Sequence, residues 1–148
     1  MKETLEQKKR RLFGKQYLNE YTLIVKKITT NIQDLCIKSI LETDNIIDII
    51  SNLNLKETVV IPFSDKKELQ TIIIERLKSQ RTIYLFTSLS KDCGAIEIPS
   101  INNFNFDFDF SDDKSGIISL VNSDLKRKIL LDFYEDENNK FIEIEYYE

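Results

Sequence analysis

The stretch FNFDFDFSDD at 104–113 interleaves carboxylates with aromatic rings, so Asp107, Asp109, Asp112 and Asp113 are the first residues to weigh for chemistry. On a strand, Asp107 and Asp109 share one face about 6.6 Å apart, a separation an inverting glycosidase pair also uses. Any acidic strand gives that distance through simple alternation, so the spacing alone does not argue for acid–base catalysis. The run DFDFSDDKSG also has the acid content of a calcium loop. Its large phenylalanines interrupt the ligands, however, and the order departs from D-x-[DN]-x-[DN]-G. The expected role is a solvated strand face, with no metal and no cofactor. Phe104, Phe106, Phe108 and Phe110 would then share the opposite side and set register by burial, since a slip of one residue would carry the carboxylates inside.

Other reactive sets are missing. The 148 residues include no histidine, which removes Ser-His-Asp and Cys-His catalysis and the usual zinc ligand sets. Gly14, Gly94 and Gly116 stand singly, so neither a phosphate loop nor a dinucleotide fingerprint can form. Cys93 in KDCGA lies near Lys91 but lacks a base, and with Cys36 it is expected to be a reduced, buried thiol. The basic run KKRR at 8–11 could attract an anionic polymer, yet with Glu3 and Glu6 one turn away a solvated helix face is expected.

These residues need elements to hold them. In the first 43 residues Leu5, Leu12, Phe13, Tyr17, Leu18, Tyr21 and Ile24 recur at helical spacing, which predicts one or two helices with a possible break at Gly14. Asp44 is expected to cap a further short helix whose apolar face is Ile46, Ile47, Ile49 and Ile50. TVVIP at 58–62 reads as a strand. SDKKELQTIIIERLKSQ reads as a helix with Asp65 and Glu68 in capping-box spacing, and TIYLFTSL at 82–89 as a strand. That order predicts a strand–helix–strand unit over 58–89 with its two strands parallel through a right-handed crossover. Period-two alternation follows in AIEIP, FNFDFDF, GIISLV, RKILLDFY and KFIEIEYY, five candidate strands of a meander over 94–147. The expected architecture is therefore α+β: a single domain over 1–148, with a helical part at 1–55 and two layers in which helices cover one face of a mainly antiparallel, mixed sheet.

Net charge is −4, but it is unevenly spread. The first thirty residues hold eight Lys or Arg against three Glu, whereas residues 100–148 hold five basic against twelve acidic side chains. Such an acidic half disfavours direct nucleic-acid binding, which needs clustered cations, and favours a basic protein partner. No apolar run reaches the roughly 18 residues of a membrane helix, so a cytoplasmic protein without membrane contact is expected, most simply a monomer.

CGAIEI together with FNFDFDFSDDKSGIISLVNSDLKRKILLDFYED, about a third of the chain, resembles the YxiF family of Bacillus-type bacteria, small immunity proteins encoded beside polymorphic toxins. The resemblance implies a non-catalytic, cytoplasmic protein that neutralises a cognate toxin domain, often a nuclease, by direct binding. A phage-type inhibitor or DNA mimic acting on a host nuclease is the alternative. An enzyme using Asp107, Asp109 or Asp132 with a divalent metal ranks behind both. Candidate partner-binding residues are Asp107, Asp109, Asp112 and Asp113, with Asp132, Tyr134, Glu135, Asp136, Glu143, Glu145 and Tyr147, a mixture of carboxylates and aromatic rings suited to steering and anchoring a cationic surface.

Overall fold

The computed structural model describes residues 2–78, 81–109 and 116–148. Helix α1 (Leu5–Gly14) opens on a capping box in which Thr4 accepts the Gln7 N–H while the Gln7 side chain accepts the Thr4 N–H. A 3₁₀ turn (Lys15–Tyr17) separates it from α2 (Leu18–Ile28), so the expected break at Gly14 is present. Sterics demand that glycine: a Cβ there would lie 2.1 Å from the Asp92 carbonyl oxygen. Helix α2 buries Tyr21, Val25 and Ile28, but Leu5, Leu12, Phe13 and Leu18 stay exposed although their spacing predicts a buried face. Helix α1 is held instead by polar contacts. The Arg10 guanidinium grips Asp44 in bidentate fashion at 2.7 and 2.9 Å, and Gln7 donates to the same carboxylate.

Asp44 is thus a partner of Arg10 and not a cap. Helix α3 (Ile40–Ile50) begins five residues earlier than expected and is capped by Ser39, which accepts the Glu42 N–H. Chain between α2 and α3 is irregular except for the short strand β1 (Cys36–Ile37), so the first helices end at Ile28 and residue 43 belongs to α3. Cys36 is exposed, contrary to the expectation of a buried thiol, with its Sγ on Glu97 Oε2; Cys93 is half-buried, and both are free.

Strand β2 (Leu55–Pro62) leads into α4 (Lys66–Leu77), which Asp65 caps and which buries Leu69, Ile72, Ile73 and Leu77, the predicted face. Then come β3 (Ile83–Phe86), the single turn α5 (Ser90–Cys93), β4 (Ile96–Ile98), β5 (Ile117–Asn122), β6 (Lys128–Asp136) and β7 (Asn139–Tyr147). Among the described residues these strands form one sheet in the order β1-β4-β3-β5-β6-β7-β2 with every neighbouring pair antiparallel. Strands β2 and β3 point the same way, but three strands lie between them. The expected parallel pairing, and with it a mixed sheet, is therefore replaced by a wholly antiparallel one. Helix α4 carries the chain from one edge of the sheet to its interior.

Over its described residues, 104–109, FNFDFDF does not form a strand. Phe104 makes an isolated bridge to Thr29, Asp107 lies in a turn closed by Asn105, and Phe108 returns to the core. Phe104 and Phe108 are each 1% exposed, Phe106 packs edge-on against Phe104, and Phe110 lies outside the described residues. The rings serve as core, but through a loop that wraps the end of α2. Asn105 donates to Lys27 O, and the Asn105 and Thr30 N–H groups bond Ile28 O and Asn103 O. Loop backbone already paired in this way has no free ladder to offer a neighbouring strand.

Both faces of the sheet meet helices, at different places. Helices α2 and α4 share one core with Leu85, Leu120, Leu131, Phe133, Ile142 and Ile144. On the opposite face, Ile46 and Ile50 of α3 pack with Phe86, Ala95 and Val121 at the β3–β5 end only. Among the described residues no helix packs over the β6-β7-β2 part of that second face.

A candidate partner interface on the open sheet face

Register decides what the open face displays. Along β6 the side chains alternating with buried Ile129, Leu131 and Phe133 are Lys128, Leu130, Asp132 and Tyr134. Across the ladder Asp132 lies opposite Glu143, Leu130 opposite Glu145, Tyr134 opposite Phe141, and Lys128 opposite Tyr147. Strand β2 adds Val60 beside Glu143, Thr58 beside Glu145 and Pro62 beside Phe141; strand β5 adds Ile117 beside Asp132. One surface therefore carries three carboxylates in its middle, with Tyr134, Phe141, Tyr147, Val60 and Ile117 around them. Val60 is 51% exposed and Ile117 41%, unusual for β-branched residues within a sheet.

Asp132 and Glu143 face each other across the strands with no cation in an ion pair to either among the described residues. Like charges directly opposite destabilise a sheet, so the fold tolerates a small cost here. Glu145 is better accommodated: it accepts the Tyr147 hydroxyl at 3.1 Å. Burial, and then that carboxylate, push the Tyr147 phenol above its ordinary pKa. The Lys128 ammonium lies 4.7 Å from the Tyr147 ring centroid, and burial pulls its pKa down against the opposing pull of Glu145. Tyr134 and Phe141 stack at 5.7 Å, forming an aromatic step beside a recess of about 470 Å³ lined in part by Pro62, Phe63, Asn139 and Phe141.

Of the sequence candidates, Asp132, Tyr134, Glu143, Glu145 and Tyr147 come together on this face. Glu135 and Asp136 lie at the end of β6, exposed beside the hairpin turn, where Glu137 and Asn138 both take positive φ as a type I′ turn requires. Glu135 pairs in register with Lys140. Asp107 and Asp109 are exposed but elsewhere, because Phe108 between them packs against Phe63 and Phe133 in the helix-covered core. The Lys66 ammonium fixes that loop, donating to Phe108 O at 2.7 Å while lying 3.5 and 4.2 Å from the centroids of Phe63 and Phe108. Asp112 and Asp113 lie outside the described residues. Among the described residues no three of Cys, Asp and Glu converge closely enough to hold a metal ion, and no helix there is long and apolar enough to cross a membrane.

Sequence patterns pass over Val60, Leu130, Ile117 and Phe141. Their signal is present as a β-branched run in TVVIP and as period-two alternation in GIISLV, RKILLDFY and KFIEIEYY, but neither pattern says which face a helix will cover. The chain matches no family model, and neither a curated protein nor a solved structure matches it.

Proposed function

We propose that this protein is an immunity-type inhibitor that binds a basic toxin domain, with a nuclease as the expected class, through the open face of β6, β7 and β2. The single observation that carries the proposal is the juxtaposition of Asp132, Glu143 and Glu145 with Tyr134, Phe141, Tyr147 and Val60 on a sheet face that no helix among the described residues covers. A nuclease cleft is cationic because it holds phosphate, and three central carboxylates present the complementary potential, which speeds encounter and rejects acidic partners. The surrounding rings and Val60 supply desolvated anchors of the kind that dominate tight interfaces. Asp132 and Glu143 gain most, since a partner cation placed between them would relieve their mutual repulsion. In this proposal the inhibitor acts in the cytoplasm as a monomer and by occlusion, with no catalysis of its own. The YxiF-like phrasing of residues 93–136 favours an immunity role over a phage-borne DNA mimic.

The test is co-expression with the toxin domain encoded beside the gene, read by growth rescue and co-purification. Rescue together with a stable complex is expected. In the double variant Asp132→Lys, Glu143→Lys, association should slow about tenfold or more at low ionic strength and lose much of its salt dependence. Growth arrest with no complex would defeat the proposal, and an unchanged association rate in the double variant would move the interface off this face.

A further inference from the structure

A second charged feature, opposite in sign, lies where the C-terminal end of α4 meets the β5–β6 turn. A cleft of about 490 Å³ opens there between Lys78, Arg81, Lys126 and Arg127. Its volume falls in the range of small-molecule sites, roughly 300–1,000 Å³. Two carboxylates also border it and offset part of that charge: Asp124, which accepts the Lys126 N–H within its own turn, and Glu148, whose side chain accepts the Tyr146 hydroxyl. Among the described residues no ion pair is formed by Lys78, Lys126 or Arg127. In a chain of net charge −4, such a gathering of cations around one concavity is opposite to the overall balance.

The base of the cleft supplies an independent observation. Asn122 is 7% exposed; its amide nitrogen donates to Leu77 O at 2.7 Å, while its Oδ1 has no hydrogen-bond partner. The amide orientation is fixed by the Leu77 bond, so the group left over is an acceptor. A buried acceptor without a donor costs about 1–3 kcal/mol, and a ligand that brings a hydroxyl removes that cost.

We propose that this cleft binds a small phosphorylated polyol, its phosphate held by the two guanidinium and two ammonium groups and one hydroxyl donating to Asn122 Oδ1. A carboxylate would need a single arginine and would leave most of this charge unanswered. A phosphomonoester, near −2 at neutral pH, matches it better. Sulfate has the charge but no proton to give Asn122. The long exposed side chains of Lys78, Arg81 and Lys126 close on the phosphate as the hydroxyl reaches the amide. Nothing in this assignment depends on the acidic sheet face.

Isothermal titration of the full chain with ribose 5-phosphate, inorganic sulfate and ribose tests it directly. Ribose 5-phosphate should bind at least about tenfold more tightly than sulfate, and ribose should not bind measurably. Asn122→Ala should lower affinity for ribose 5-phosphate toward that for sulfate. Should that variant fail to fold, Lys126→Glu and Arg81→Glu, both at exposed positions, should each weaken ribose 5-phosphate about tenfold while leaving the melting temperature within a few degrees of wild type. Equal affinity for sulfate and ribose 5-phosphate, no binding of either, or full binding by both charge-reversal variants would overturn the assignment.

Discussion

Asp44 shows how one side chain can be legible in type yet misplaced in role. Its chemistry suits a helix cap, but the structure uses it to clamp α1 through Arg10 and Gln7. The bond from Arg10, reinforced by Gln7, holds its carboxyl below the usual aspartate range in spite of an opposing burial effect. Because the folded-state pKa is depressed, the stabilisation is complete above the unfolded value of about 3.9 and is lost as pH falls through the lower folded value. Asp44→Asn should therefore reduce stability at neutral pH by about 1.5–3 kcal/mol, and the deficit should shrink as pH drops below about 3.9, measured by urea unfolding across that range. A deficit independent of pH would separate Asp44 from the charge of Arg10. Nothing in the sequence joins residue 10 to residue 44, so local pattern had no means of finding the pair. The same holds for Asp107 and Asp109, whose alternation with phenylalanine suggested a strand. Long-range contacts of Phe104 and Phe108, and the paired backbone of their loop, outweighed that periodicity.

At the scale of elements, amphipathic period was sound where the helix packs on the sheet and misleading where it does not. Helix α4 buries the four residues its pattern names, whereas α1 leaves Leu5, Leu12 and Phe13 in solvent and turns Gln7 and Gly14 inward. Close approach of backbones explains the exchange: Gly14 and the Asp92 carbonyl touch, and the Arg10 guanidinium reaches Lys91 O from the same side. Replacing a glycine of helical conformation by alanine ordinarily stabilises by up to about 1 kcal/mol. Here the sign should reverse, because the added Cβ meets fixed backbone. Gly14→Ala should lower the denaturation midpoint, with amide exchange in α1 accelerated more than in α4. A raised midpoint would mean that the α1–α5 contact yields easily. Strand pairing was the less legible part. Each of β2 and β3 could be read from its own residues, but a helical crossover is compatible with landing beside the first strand or several strands away, and only the register of β7 against both β6 and β2 resolves it.

For the whole molecule, two charged regions are set apart by the sheet's topology: carboxylates over β6 and β7, cations around the end of α4 and the β5–β6 turn. Composition revealed the acidic excess of the C-terminal half, but not that Arg127 would point its charge into a different region from Asp132 five residues later. If the Asp132–Glu143 opposition is kept for binding, stability and recognition should trade against each other. Glu143→Lys places opposite charges across the ladder and should raise stability by about 0.2–1 kcal/mol. The same change should weaken capture of the proposed basic partner. A midpoint that falls in urea denaturation would contradict the strain assigned to that pair.

The position of β2 at the sheet's outer edge also bears on synthesis. Its neighbour in the ladder is β7, so Leu55 finds its opposite number only when Tyr147 is made. At elongation rates of about 5–20 residues per second, β2 is made several seconds before that strand exists. During this delay its Val59 and Ile61, which end in the core, have no sheet to join. The nascent chain therefore passes through an interval in which sheet closure does not yet protect this apolar segment.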